Sequence, residues 1–137
     1  MELFLENEFL DFAKHHKNKV NLIIHIGAGT IYMASLNVLS NYTLLPIYSL
    51  LLLITLKDII PIILSILYIY ITTIILYKYK VKVRELIYLF IFSCFIVPYI
   101  SHVFTRETIV LNYENLSFIK FITNIVYFLP FSIRCFI

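Results

Sequence analysis

Four imidazoles are the side chains of this sequence best suited to hold a transition metal or move a proton near neutral pH: His15, His16, His25 and His102. His25 lies about one and a half turns into the first long apolar run, and His102 lies near the end of a later one. Ionisable groups inside such runs are costly and usually face a cavity or a partner. At about 100° per residue, Leu5, Phe9, Phe12 and His16 share one face of an opening helix, so its apolar stripe ends in a histidine. Taken singly, a histidine at a helix end is ordinarily a polar residue at headgroup level. Taken together, these also read as ligands of one metal.

Spacing sets conditions on that second reading. His16 and His25 are nine residues apart. On one straight helix they would point in opposite directions, about 13–14 Å apart. They can share a metal only if the chain turns between them, and Lys17-Asn18-Lys19 is the expected break, with Asn18 capping the next helix. Asn21, His25 and Gly29 then follow on one stripe of that helix, and Gly27 and Gly29 would let another helix or a ligand come close. His102 can join only if an even number of crossings separates residue 20 from residue 104.

The elements that must position these residues follow from composition. The chain has 137 residues, 61 % hydrophobic and 14 % charged, with mean hydropathy +0.92. A soluble domain carries roughly 45–50 % apolar and about 25 % charged residues, and a chain this short has too little interior to hide the excess. The expectation is one integral membrane domain of the all-α class. A barrel's period-2 pattern is absent, and apolar runs of this length must satisfy their backbone internally, as helices do. Disorder, a repeat array, a disulfide scaffold and a soluble nucleotide-binding fold are excluded. Cys94 and Cys135 make no disulfide framework. Nucleic-acid binding is also excluded, because the net charge is only +3 and the lysines sit at the ends of apolar runs.

Residues 1–17 read as an amphipathic helix lying at the membrane interface. Val20–Leu39, Thr43–Leu56, Ile59–Tyr77 and Leu86–Phe104 read as four spans, the second of them short at about 21 Å. The Lys57-Asp58 break, with Asp58 as cap and Pro61 in the next first turn, reads as a hairpin. Pro98 predicts a kink in the fourth span. A terminal apolar helix over 116–130 is expected to stop at Pro130. With four spans the basic clusters at Lys14, Lys17 and Lys19 and at Lys78–Arg84 lie on opposite sides, and with three they share a side, as the positive-inside rule prefers, so charge does not fix the orientation.

The stretch from Phe9 to Gly27, FLDFAKHHKNKVNLIIHIG, resembles the opening of a family of small multi-span membrane proteins, that of the fungal 2-hydroxy fatty acid dioxygenase of phytosphingosine breakdown. Its marks are an aromatic-rich surface segment, a histidine, asparagines, then a second histidine and a glycine. Ser101-His102-Val103-Phe104-Thr105-Arg106-Glu107 is similar to the family's late histidine signature. It departs in carrying Ser before His102 where Gly is usual, in one residue fewer before Phe104, and in Thr108-Ile109 where Pro-Ala is usual.

The resemblance implies iron(II)-dependent α-oxidation, in which a long-chain 2-hydroxy fatty acid and O2 give the acid one carbon shorter. It implies a multi-pass protein of the endoplasmic reticulum, taking its substrate from the lipid bilayer. His16, His25 and His102 would be the metal ligands, with His15 the alternative to His16. Asn21 and Glu107 would orient imidazoles at the reacting centre, and Arg106 or Lys19 would neutralise the substrate carboxylate. Two other readings stand beside it. One is a non-enzymatic membrane protein that keeps the family fold, and the other is a haem protein with His25 and His102 as axial ligands.

Overall fold

The computed structural model describes residues 2–108 and 117–137. Its helices are α1 (Glu2–His15), α2 (Lys19–Leu39), α3 (Leu44–Thr55), α4 (Ile59–Lys78), α5 (Val83–Ile91), α6 (Val97–Thr105) and α7 (Phe118–Phe136), with a π turn at Phe92–Ile96 joining α5 to α6. No strand occurs among the described residues. Four helical stretches are long and apolar enough to cross a membrane: Lys19–Leu39, Ile59–Lys78, Val83–Thr105 and Phe118–Phe136. The four are not those the sequence suggested. With 12 residues, α3 is about 18 Å long, well short of a ~30 Å hydrocarbon core. The C-terminal helix takes its place.

Asn18 starts α2 as expected, its Oδ1 accepting the Val20 and Asn21 amides at 2.8 and 3.4 Å. α2 and α4 run parallel. Asn37 Nδ2 donates to Thr73 Oγ1 at 3.3 Å, and the Tyr42 and Tyr77 rings meet at 6.2 Å beyond the same ends. Short α3 and its extended exit at Leu56 therefore carry the chain back between them. The α5–α6 stretch then runs opposite to α4 and delivers His102 to the end of the bundle where α2 begins. α2 is the central helix, packed against α4, α5, α6 and α7. The basic clusters accordingly occupy opposite ends.

Pro130 departs from its sequence reading, and at Pro98 the structure shows a π turn before the proline. Pro130 lies inside α7, which continues to Phe136. A proline leaves the carbonyl four residues earlier without its helical donor. That carbonyl, of Val126, accepts from the Tyr48 hydroxyl at 2.9 Å, so a side chain of α3 supplies the missing bond. The expected start of this helix at 116 lies outside the described residues. Before Pro98 the helix widens into a π turn, with the Val97 amide bonding the Phe92 carbonyl.

α1 ends at His15, two residues earlier than expected. Its apolar stripe is covered by α7: Phe9 meets Phe131 at 5.5 Å, and Phe12 meets Phe128 and Phe131 at 6.1 and 5.7 Å. Charges pin both ends of this contact. Lys120 pairs with Asp11 at 2.7 Å. Arg134 holds both Glu6 oxygens at 2.8 and 3.0 Å and reaches Asp58 at 2.5 Å. Asp58 occupies the cap position of α4, but its carboxylate makes no cap bond there. The outer sides of α4, α5 and the π turn carry exposed Ile60, Ile63, Ile74, Ile91 and Phe95, as a lipid-facing surface would.

Candidate metal centre

His16 comes from the link between α1 and α2, His25 from the second turn of α2, and His102 from the last turn of α6. They are 4 %, 0 % and 4 % exposed, although separated by up to 86 residues of chain. His102 Nε2 lies 3.0 Å from His16 Nε2 and 3.0 Å from His25 Nε2, and one nitrogen from each ring falls within 4.8 Å of the others. His15 is outside the group. Its Nδ1 turns back to the Asp11 carbonyl at 2.8 Å.

The outer nitrogens determine what the inner ones present. His16 Nδ1 donates to the Phe12 carbonyl at 2.7 Å, which leaves a lone pair on Nε2. Burial pushes the His16 imidazole down to about 3, so it is neutral at physiological pH. His25 Nδ1 lies 3.3 Å from Ser101 Oγ, whose own proton is directed to acceptor atoms elsewhere, so His25 likewise presents a lone pair. His102 Nε2 has at most one proton to share with these two lone pairs. Its Nδ1 is buried and has no hydrogen-bond partner among the described residues. That Nε2 proton can serve one of the two contacts; at the other, lone pairs facing at 3.0 Å repel unless a cation lies between them. Two metal–nitrogen bonds of ~2.1 Å at right angles span about 3.0 Å, the separation seen at both edges. The donor set therefore fits a divalent metal with imidazole affinity, and this buried group can hold one. His25 and His102, the pair considered for haem, have their Nε2 atoms 3.0 Å apart with His16 against the same His102 nitrogen.

Glu107 locks the histidine-bearing elements together. Arg106 adopts a left-handed conformation, φ 59°, that ends α6 and turns the chain back. Glu107 Oε1 then accepts the Lys17 and Asn18 amides at 2.6 and 2.7 Å, and Oε2 accepts Asn21 Nδ2 at 2.5 Å. Glu107 and Asn21 thus join the link that carries His16 to the first turn of α2, and Asn21 Oδ1 accepts from Ser101 Oγ. Arg106 and Lys19 do not reach the site. Both side chains are exposed, and neither lines the cavity beside the histidines. What Arg106 contributes is its backbone turn.

That cavity, about 290 Å3, is bounded by His16 and His102 at one end and by Tyr32, Cys94, Phe95, Phe128 and Asn124 beyond them. Phe12 stacks on His16 at 3.7 Å and Phe128 on His25 at 4.6 Å, so aromatic rings wall the imidazoles. Tyr32 donates its hydroxyl to the Ile125 carbonyl and turns only its ring to the space. Ser101, Tyr32 and Asn124 had no distinguishing spacing in the sequence. The one available signal was a small polar residue beside His102. Neutral imidazoles at one end and an apolar chamber leading away suit a metal-chelating head group on a hydrocarbon tail. Comparisons with models of protein families, with curated proteins and with solved structures give no match for this chain.

Proposed function

We propose that this protein is an iron(II)-dependent dioxygenase of long-chain 2-hydroxy fatty acids, working in the membrane and, in a eukaryotic cell, in that of the endoplasmic reticulum. One observation carries the reading: three buried imidazoles converge, and two of them, His16 and His102, line one end of an apolar cavity. His16, His25 and His102 would hold the iron, which when bound supplies the electron transfer between the organic acid and dioxygen. Overall, RCH(OH)COOH and O2 give RCOOH, CO2 and water. The bond between C1 and C2 breaks, the organic acid gives up four electrons, and dioxygen takes them.

The chain's own residues bind, orient and exclude water. Phe95, Phe128 and the Tyr32 ring line the path of the acyl chain. Asn124 adds an amide to the same wall, its Nδ2 donating to the Lys120 carbonyl at 3.1 Å. Phe95, Ile96 and Tyr99 are partly exposed on the outer side of the helix, which favours entry from the lipid phase. Phe12 and Phe128 keep water from the imidazoles.

The test is purification in detergent without chelators, loading with Fe(II), and incubation with 2-hydroxyhexadecanoic acid and O2. Pentadecanoic acid and CO2 in equal amounts, lost in His25→Ala, are the expected result. Iron binding without product would leave a non-catalytic metalloprotein. Failure to bind any divalent metal would overturn the reading altogether.

A further inference from the structure

Ser101 is the pivot of a directional hydrogen-bond chain that ends on His25. The direction is set at the far end. The Glu107 carboxylate can only accept, so the group 2.5 Å from its Oε2 must be the amide nitrogen of Asn21. Asn21 therefore turns its carbonyl oxygen to Ser101, whose hydroxyl donates to it at 2.5 Å. The other oxygen near that hydroxyl, the Pro98 carbonyl at 2.9 Å, is also an acceptor. Whichever of the two takes the proton, Ser101 Oγ is left with a lone pair toward His25 Nδ1 at 3.3 Å. His25 thus carries its hydrogen on Nδ1 and aims the Nε2 lone pair at His16 and His102. Ser101 is 2 % exposed and Asn21 is 0 % exposed, so water does not substitute for either.

We infer that Ser101 is a positioning residue that couples Glu107 to His25, holding His25 in the ligating tautomer and raising the affinity of the three-histidine site for a divalent metal. This rests on reading His16, His25 and His102 as a metal centre. Partners behind ligating imidazoles typically contribute 10–100-fold to metal affinity. Because the Ser101 contact with His25 Nδ1 is long at 3.3 Å, the lower end of that range is expected.

Two measurements on the full chain in detergent test it. In the metal-free wild type, 15N spectra of labelled histidine should show His25 protonated on Nδ1 and unprotonated on Nε2. A proton on Nε2 overturns the inference without any variant. Titration with Co2+, followed by its visible spectrum, should then show about tenfold weaker binding in Ser101→Ala. Ser101→Thr, which keeps the hydroxyl, should restore it. The thermal unfolding midpoint of the metal-free Ser101→Ala protein should stay near that of wild type. Equal Co2+ affinity in Ser101→Ala and wild type overturns the inference. So does a loss that Ser101→Thr fails to rescue. Absence of Co2+ binding by the wild type would instead refute the metal centre itself, and the His25 tautomer would still report on the relay.

Discussion

The cavity sets a rule for chain length that can be worked out residue by residue. Cys94 precedes His102 by eight residues, and Tyr32 follows His25 by seven. At ~1.5 Å per residue they lie about 10–12 Å from the histidines, measured along their helices. An extended hydrocarbon with ~1.5 Å bonds at ~111° advances about 1.25 Å per carbon. The chamber therefore takes about eight or nine carbons before the chain passes the exposed rim at Phe95, Ile96 and Tyr99. Each methylene buried is worth about 0.8 kcal/mol, or roughly a fourfold change in affinity. For a series of 2-hydroxy acids, kcat/KM should rise about fourfold per carbon up to a length of roughly ten carbons. Beyond that it should flatten.

Cys94→Phe places a ring in this chamber. If the ring displaces about three methylenes, long substrates lose roughly sixtyfold in kcat/KM while the shortest lose little. Displacement of a fluorescent fatty acid from the metal-free protein should show the same pattern, which separates binding from turnover. A variant whose chain-length profile matches that of wild type would refute the assignment of this cavity to the acyl chain. So would a wild-type profile that is flat from six to ten carbons.

Addition of Co2+ at about a hundred times its Kd should stabilise the wild type by about 2.7 kcal/mol. That thermal shift should vanish in His25→Ala and in His102→Ala. A Cβ at Gly29 would meet Leu129 Cβ at 3.1 Å and Phe128 Cδ1 at 3.3 Å, so Gly29→Leu should push α7 off α2, weaken metal binding and lower the unfolding midpoint. Arg134→Lys should loosen the contact of α1 with α7, seen as faster amide exchange in α1, because a point charge cannot replace the paired bonds to Glu6 together with Asp58. Burial raises the Glu8 carboxyl above its ordinary 4.5, with Lys120 opposing and Asp11 adding to the shift. The folded chain therefore holds that proton more tightly than the unfolded chain, and its stability falls as pH rises through the interval between the two values. Glu8→Gln should accordingly be more stable than wild type at neutral pH, with the difference closing at pH below 4.5 in unfolding measurements.

The parts of the site legible in the sequence were those governed by local rules. Asn18 as a cap, the break at Lys17, and the common stripe of Asn21, His25 and Gly29 follow from helix geometry alone. The parts that were not legible depend on partners distant in sequence. Nothing near Pro130 announces that Tyr48 will satisfy the Val126 carbonyl, so a proline that should stop a helix lies inside one. The stripe of Leu5, Phe9 and Phe12 has the pattern of a membrane-surface helix. The same pattern serves equally for docking on α7, and pattern cannot tell lipid from protein. The resemblance gives Arg106 or Lys19 the role of neutralising a substrate carboxylate. Their exposure reflects the direction of their side chains, which spacing does not reveal at a helix terminus. His102 reaches His16 because short α3 and its exit return the chain between α2 and α4, although α3 is shorter than the helices long enough to cross a membrane.

The arrangement is costly as a piece of folding. Three imidazoles are buried with at most one proton among their facing nitrogens, and His102 Nδ1 is left unpartnered among the described residues. Buried polar groups without partners typically cost about 1–3 kcal/mol each. A packed apolar cluster in the same place would be the more stable choice. What offsets the cost is outside the cluster: a charge-assisted grip by Glu107 on two backbone amides and Asn21, and aromatic stacking on His16 and His25. Local frustration held in place by well-satisfied surroundings is the pattern of a site kept for binding. If that is so, His25→Leu with His102→Leu, which remove the facing lone pairs together, should leave the metal-free protein at least as resistant to unfolding as wild type while abolishing metal binding. A double variant that is instead strongly destabilised would mean that the histidines are held for packing, and the argument for a metal from their frustration would fail.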